Sequence, residues 1–280
     1  MKWAILLLAA APTWGWWEVG HKAVAGMAYD LLAESTRRRV DALLKKHPDY
    51  SNFVEGAPAG ERQRHRYAFM KAAYWPDLIK ADPRFYDETK RDAKPTEVQP
   101  GFADMKRHGN WHYINVGFST DGAPVPDPPT PNFLTQFPAI VDAVGKEDAY
   151  MLPWLLHLVG DIHQPMHCVS RFQPGSDLGG NAVKLASGMN LHAYWDSRLG
   201  ETDTPEIVEA VVVALKKRPA EAHPVTDPGT WVKEGFEIAK TVAYSFGDEP
   251  GYAVTARKVA FERAALAGQR LAAVLNRMLP

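Results

Sequence analysis

Between residues 151 and 200 the chain reads MLPWLLHLVGDIHQPMHCVSRFQPGSDLGGNAVKLASGMNLHAYWDSRLG, and five of its side chains can bind a metal: His157, Asp161, His167, His192 and Asp196. His157 and Asp161 stand four apart in an apolar run, as do His192 and Asp196 in a second. At helical period each pair leaves one face together and forms a chelate. His167 follows Pro165 by two residues, where a helix bends or restarts, so it need not share the ion of the first pair. The pattern points to more than one ion. Imidazole with carboxylate suits zinc, which takes about four ligands at roughly 2.0–2.2 Å, so other segments must supply ligands too. A lone His and Asp four apart is ordinarily a hydrogen-bonded surface pair. Two such pairs close together, with a third His between them, favour metal.

The elements that must position these groups are helical. Helix formers dominate the periodic segments and sustained period-2 alternation is scarce, which predicts a mainly α-helical fold. With 280 residues, 46% apolar, and no internal repeat, one large domain is expected. A formal charge of −1 and a pI near 6.8 exclude the broad basic footprint that tracks long nucleic acid, so any attraction for phosphate must be local.

Residues 1–15, MKWAILLLAAAPTWG, have the layout of a secretory signal peptide and are too short to span a membrane. Cleavage there would leave 16–280 as the working domain, secreted or periplasmic. Cys168 is the only cysteine, so no intramolecular disulfide forms, and the chain has no N-x-S/T sequon, which fits a bacterial exported protein.

A stripe of His21, Val24, Ala25, Ala28, Leu31 and Leu32 places His21 on the buried side of a first helix. Ser35 reads as the N-cap of a second helix stopped by Pro48, with His47 at its solvated end. After a link at 52–64, a helix over 66–80 carries Asp77 among aromatic residues, where an acid must pair with a cation or bind a metal. His112, between Trp111 and Tyr113, reads by itself as a packed core histidine. A proline-rich surface loop spans 120–131, and helices follow at 133–144 and 148–162. Between His167 and His192 the chain is irregular, with Gly175, Gly179 and Gly180 and a candidate short strand AVKLA. Helices at 205–217, 230–246 and 253–278 read as core and receive no chemistry. His65, His108 and His223 read as surface residues, and His163, off the ligand face, as structural.

In order, Trp16-(x4)-His21, Asp77 in YWPD, His112 in WHYIN, His157-x3-Asp161-x5-His167 and His192-x3-Asp196, with HLVGDIHQPMH and GGN, resemble one family. The chain is similar to the single-strand-specific zinc nucleases and 3′-nucleotidases of the nuclease S-one and nuclease P-one type, from about Trp16 to the C-terminal helix. That resemblance implies a mainly α-helical single domain with a trinuclear zinc cluster in a cleft, a fold shared with phospholipase C. By motif position Asp77, His112, His157 and Asp161 would hold one ion. Asp161 would bridge to a second, held by His21 and by the free amino group and carbonyl oxygen of Trp16. His167, His192 and Asp196 would hold the third. The amine exists only if cleavage falls after Gly15, which couples export to catalysis. Three divalent ions against three aspartates leave a local charge of about +3.

The implied reaction is hydrolysis of single-stranded DNA and RNA to 5′-phosphorylated nucleotides, and of 3′-nucleotides. A hydroxide bridging the paired zincs would attack phosphorus in line, and the third zinc would stabilise the departing 3′ oxygen. Lys80 stands where the family places an arginine that steadies the transition state, keeping the charge without the bidentate fork. Tyr113, Asn115, Leu178 and Asn181 would line the base pocket, the tyrosine stacking and the amides reading base edges. The fungal pattern has an acid where this chain has Asn115, which leaves base preference open. A monomer with no protein partner and no stable membrane association is expected. A bacterial zinc phospholipase C is the competing enzyme, disfavoured by the short Trp16–His21 spacing and by Asp196 where the lipase type carries a glutamate. An exported zinc-binding module without activity is disfavoured by the ligand set and Lys80.

Overall fold

Met151–Ile162 is apolar apart from His157 and Asp161, and a helix of that kind must be buried. The structure, a computed structural model, describes residues 16–280 other than 174 and 248, so the leader expected at 1–15 lies outside the described residues. Among these the helices are α1 (Glu18–Leu31), α2 (Glu34–Leu44), α3 (Tyr50–Val54), α4 (Glu61–Ala72), α5 (Trp75–Leu78), α6 (Phe133–Gly145), α7 (Met151–Ile162), α8 (Leu191–Asp196), α9 (Pro205–Lys216), α10 (Pro228–Ile238) and α11 (Glu249–Met278). Every residue of α7 from Leu152 to Ile162 is buried, and the helix packs against α1, α4, α5, α6 and α11. The fold is mainly helical and forms one domain, as expected. No helix among the described residues is long and apolar enough to cross a membrane.

The strand content lies elsewhere than expected. AVKLA contributes one isolated bridge, Lys184 to Asn190, and no strand. Instead β1 (Val116–Ser119) and β2 (Val169–Phe172) pair in parallel with Val116 opposite Val169. Each strand follows a 3₁₀ turn, Gly109–His112 and Pro165–Cys168, so the ladder sets His112 beside His167. The Ile114 N–H donates to the His167 carbonyl at 2.8 Å.

Tertiary contacts also override several local signals. Ser35 is a helical residue inside α2 and not its cap; the helix starts at Glu34, and the Ala33 N–H is held by Asn276 Oδ1 of α11 at 2.9 Å. In α1, Leu31 is 46% exposed because the helix ends there, while Val24, Ala25 and Ala28 enter the core. The helix expected over 66–80 breaks at Ala73–Tyr74 and restarts with Pro76 at its N-terminus, where a missing N–H is tolerated. His47 is not solvated: it is buried against Phe53, Trp75, Phe102 and Tyr150, with Nδ1 accepting the Asp49 N–H. His108 is buried too, stacked 3.6 Å from Trp111, with Nε2 3.0 Å from an Asp104 oxygen. His65 is half-buried against Asp41, and His223 is exposed.

Candidate metal centre

Four segments bring the ligand candidates together. His157 and Asp161 leave one face of α7, Asp77 enters from α5, His21 from the first turns of α1, and His112 from the 3₁₀ turn before β1. All five are buried. Asp161 divides its carboxylate. Its Oδ2 lies 2.8 Å from His112 Nδ1 and 3.0 Å from His157 Nε2, while its Oδ1 lies 3.3 Å from His21 Nε2. Asp77 divides likewise, with Oδ1 3.7 Å from His157 Nε2 and 3.9 Å from His112 Nδ1, and Oδ2 4.0 Å from His21 Nε2. Ligands about 2 Å from a tetrahedral ion are separated by distances of this order.

The third group lies beside them. Asn190 caps α8 through the Ala193 N–H, directing His192 and Asp196 inward to meet His167 of the Pro165–Cys168 turn. The ligand atoms of His167, His192 and Asp196 lie within 4.8 Å of one another, as do those of His21, His157 and Asp161 and those of Asp77, His112 and His157.

The hydrogen bonds determine what the rings present. The Nδ1–H groups of His157, His167 and His192 donate to the backbone carbonyls of Ala73, His112 and Gly179 at 2.8, 2.7 and 2.7 Å. That selects the tautomer whose Nε2 lone pair faces the cluster, the orientation that protein metal sites use. The Nε2 atoms of His167 and His192 then stand 3.2 Å apart. Asp77 Oδ2, Asp161 Oδ1 and both nitrogens of His21 are buried without a hydrogen-bond partner among the described residues. Such groups are costly unless a cation satisfies them.

For three of the rings the electrostatics favour the ligand form. Burial, then the neighbouring His157, holds His21 down to about 4. Burial, then Lys80, holds His112 to about 3, and burial, then His167, does the same for His192. These imidazoles are neutral, as metal ligands must be. Burial would raise Asp77, but the positive charge around it, the Lys80 ammonium first, outweighs burial and holds the carboxyl below its ordinary range. Burial drives Asp196 well above that range, with Asp161 and Asp77 adding to the rise.

A glycine makes the close approach possible. A Cβ on Gly160 of α7 would lie 2.9 Å from His21 Nδ1 and 4.0 Å from Trp16 Cδ1, so the smallest residue lets α1 close over α7. The His21 ring stacks on His157 with centroids 3.9 Å apart.

This convergence matches what a comparison of the chain with known proteins returns: a family model described as S1/P1 Nuclease spans residues 16–280. The chain belongs to the S1/P1 nuclease family. It is a hydrolase acting on nucleic acid, with three buried His/Asp groups able to hold metal ions. Endonuclease 2 of Arabidopsis thaliana is 27% identical over 303 residues, covering 98% of this chain and 93% of its own length. Endonuclease 5 of the same plant is 29% identical over 297 residues, covering 94% and 90%. Nuclease S1 of Aspergillus oryzae is 24% identical over 204 residues, covering 71% of this chain and 59% of its own length.

In this S1/P1 nuclease the remaining candidates surround the cluster unequally. Trp16 is buried beside His21 and Gly160, and the next N–H, of Trp17, donates to the Asp196 carbonyl at 3.1 Å. Lys80 places Nζ 2.5 Å from Asp77 Oδ1. Tyr113 and Asn115 are half-buried on either side of Ile114, and the tyrosine hydroxyl donates to Asn110. Leu178 is exposed in a left-handed conformation, φ 56°, and its carbonyl accepts the Asn181 side-chain amide.

Sequence reasoning missed the supports. Gly160, the carbonyls of Ala73 and Gly179, Asp177 and Gln164 contact or hydrogen-bond the site and its flanking loop without being ligands. Only the placement of Gln164 between Asp161 and His167 hinted at its part. His163 has the structural role expected of it: it is buried, with Nδ1–H donating to Val159 and Nε2 accepting from Arg270. Arg270 and Arg263 of α11 in turn pair with Glu234 of α10, so helices read as plain core anchor the end of α7.

Proposed function

We propose that this protein hydrolyses single-stranded DNA and RNA to 5′-phosphorylated nucleotides, and releases phosphate from 3′-nucleotides, using three zinc ions. The observation that carries the reading is the inward-facing set of imidazole Nε2 atoms and split carboxylates, with Asp77 Oδ2, Asp161 Oδ1 and both His21 nitrogens buried without a hydrogen-bond partner among the described residues, in a nuclease-family chain. Asp77, His112, His157 and Asp161 would hold one ion, and His21 with Asp161 and the Trp16 amine and carbonyl a second. His167, His192 and Asp196 would hold the third. Divalent ions held there supply positive charge and Lewis acidity at the scissile phosphate.

The chain's own groups do the rest. Lys80 is paired with Asp77 beside the cluster, and it would contribute one positive charge, without a fork, to a phosphate oxygen there. Tyr113 offers a ring face for a base to stack on, with Asn115, Leu178 and Asn181 completing the contact. A base clamped in this way must first be unstacked, which favours single strands. The ligating amine requires removal of residues 1–15 after Gly15, so the working protein is 16–280, exported to the periplasm or medium, and monomeric.

The test is hydrolysis of single-stranded DNA, RNA, 3′-nucleotides and phosphatidylcholine by protein processed to begin at Trp16, before and after chelation and zinc restoration. Zinc-restorable release of 5′-nucleotides with the lipid untouched is the expected result. Lipid hydrolysis alone transfers the case to a phospholipase, and no hydrolysis by zinc-loaded protein to a binding module.

A further inference from the structure

Gln164 lies one residue past the C-cap of α7 and is fully buried. Its backbone joins two ligand candidates: its N–H donates to the Asp161 carbonyl at 2.9 Å, and its own carbonyl accepts the His167 N–H at 3.0 Å. Its side chain spans a third connection. One end meets the Met166 N–H at 2.5 Å, and the other meets Asp196 Oδ1 at 2.5 Å. Chemistry settles which end is which. A backbone N–H only donates, so the end facing Met166 is the carbonyl oxygen, and the NH₂ is left to face the carboxylate.

The two ends do different work. The oxygen end caps the Pro165–Cys168 turn, an ordinary structural task. The nitrogen end contributes nothing to that cap. It is a neutral donor on Asp196, whose two oxygens stand 3.9 Å from His167 Nε2 and 3.8 Å from His192 Nε2.

We infer that Gln164 is a positioning residue for the His167/His192/Asp196 group, its amide fixing the Asp196 carboxylate in the orientation that closes the group on an ion. The inference rests on the reading of that group as a metal site. A hydrogen bond to one carboxylate oxygen removes the rotation that would otherwise carry both oxygens away from the imidazoles. Loss of such an outer partner weakens metal binding by about 10–100-fold in other proteins.

Gln164→Glu separates the two tasks. It keeps size and the acceptor facing Met166, and replaces the donor facing Asp196 by an oxygen. The measurements are zinc stoichiometry after graded chelation and the d–d absorption of the cobalt-substituted protein, with circular dichroism as the check on folding. His192→Ala, measured alongside, defines the equivalent of metal that belongs to this group. The expected result is that His192→Ala abolishes one equivalent and Gln164→Glu weakens the same equivalent by about 10–100-fold, altering its cobalt spectrum, with the other equivalents unchanged. Full affinity and an unchanged spectrum in Gln164→Glu, with the His192→Ala loss intact, overturn the positioning role. No equivalent lost in His192→Ala overturns the metal reading, and the inference with it. Should Gln164→Glu not fold, Gln164→Met keeps the volume and removes both side-chain bonds; the same selective weakening supports the role and full affinity overturns it.

Discussion

His167 and His192 bring their Nε2 atoms to 3.2 Å of each other while the Nδ1–H of each is held by a backbone carbonyl. Two ring lone pairs facing at that distance repel unless a cation or proton lies between them. An ion bound between them would therefore stabilise the folded state as well as serve the proposed reaction. At about 1,000 times its Kd an ion bound only by the folded state adds about 4 kcal/mol. Chelation is expected to lower the melting temperature by roughly 10 °C. A calorimetric melt that does not move between chelator and zinc contradicts the site.

Gly160 faces His21 where a Cβ would approach Nδ1 to 2.9 Å. Gly160→Ala is expected to push the His21 ring off its stack on His157, destabilising by about 1–3 kcal/mol and weakening the ion shared with Asp161. An exposed helix would instead gain up to about 1 kcal/mol from the same change. A higher melting point with unchanged zinc affinity would refute the close approach.

Lys80 stands 2.5 Å from Asp77 Oδ1 at the edge of the cluster. Lys80→Met is expected to reduce kcat by about 100-fold, the loss typical of one electrostatic contact to a transition state. Lys80→Arg restores a fork able to grip two phosphate oxygens and should keep most of the rate. Steady-state kinetics on a dinucleotide, with zinc content measured in parallel, decide; equal rates in all three proteins would remove Lys80 from catalysis.

Tyr244, at the end of the π-helical turn Ala239–Ala243, donates its hydroxyl to Asp177 Oδ2 at 2.7 Å. The other oxygen of Asp177 accepts the Arg171 and Gly180 N–H groups, pinning the loop that carries Leu178 and Asn181. A hydrogen bond to a charged group is worth about 1.5–3 kcal/mol. Tyr244→Phe should raise KM for nucleotides several-fold while leaving kcat and zinc content near the parent values. An unchanged KM would separate this loop from base binding.

His47 supplies an acid-sensitive element away from the cluster. Burial holds it down to about 4, with Asp49 opposing and Arg84 assisting. The unfolded chain protonates near 6.5, so below that pH it binds the proton that the folded state refuses. Stability is full above about pH 6.5 and falls as pH drops toward 4, by about 3 kcal/mol in all. Denaturant melts of His47→Phe between pH 7 and 4 should lose that part of the slope. A parent-like slope would place the acid sensitivity elsewhere.

Much of the site was legible from spacing because its densest part is local. His157 with Asp161 and His192 with Asp196 are each one helical turn apart, and a helix places such residues on one face whatever surrounds it. The helix expected at 148–162 formed as Met151–Ile162 and carries the first pair. Asp77 and His112 were visible only as an acid and a histidine in apolar company, and the motif order, not periodicity, joined them to the rest.

Tertiary structure decided what local pattern does not encode. His47 and His108 read as solvated, yet distant rings enclose them. The strands formed at 116–119 and 169–172 because parallel pairing joins segments 53 residues apart in register, whereas AVKLA found no such partner. The α2 start was set by Asn276 on the far end of the chain. Ligand types and their helical spacing are one-dimensional properties and belong to the sequence. Tautomers, the split of Asp161 between two groups, and the hold of Gln164 on Asp196 depend on which carbonyls and carboxylates fold into reach, and only packing determines that.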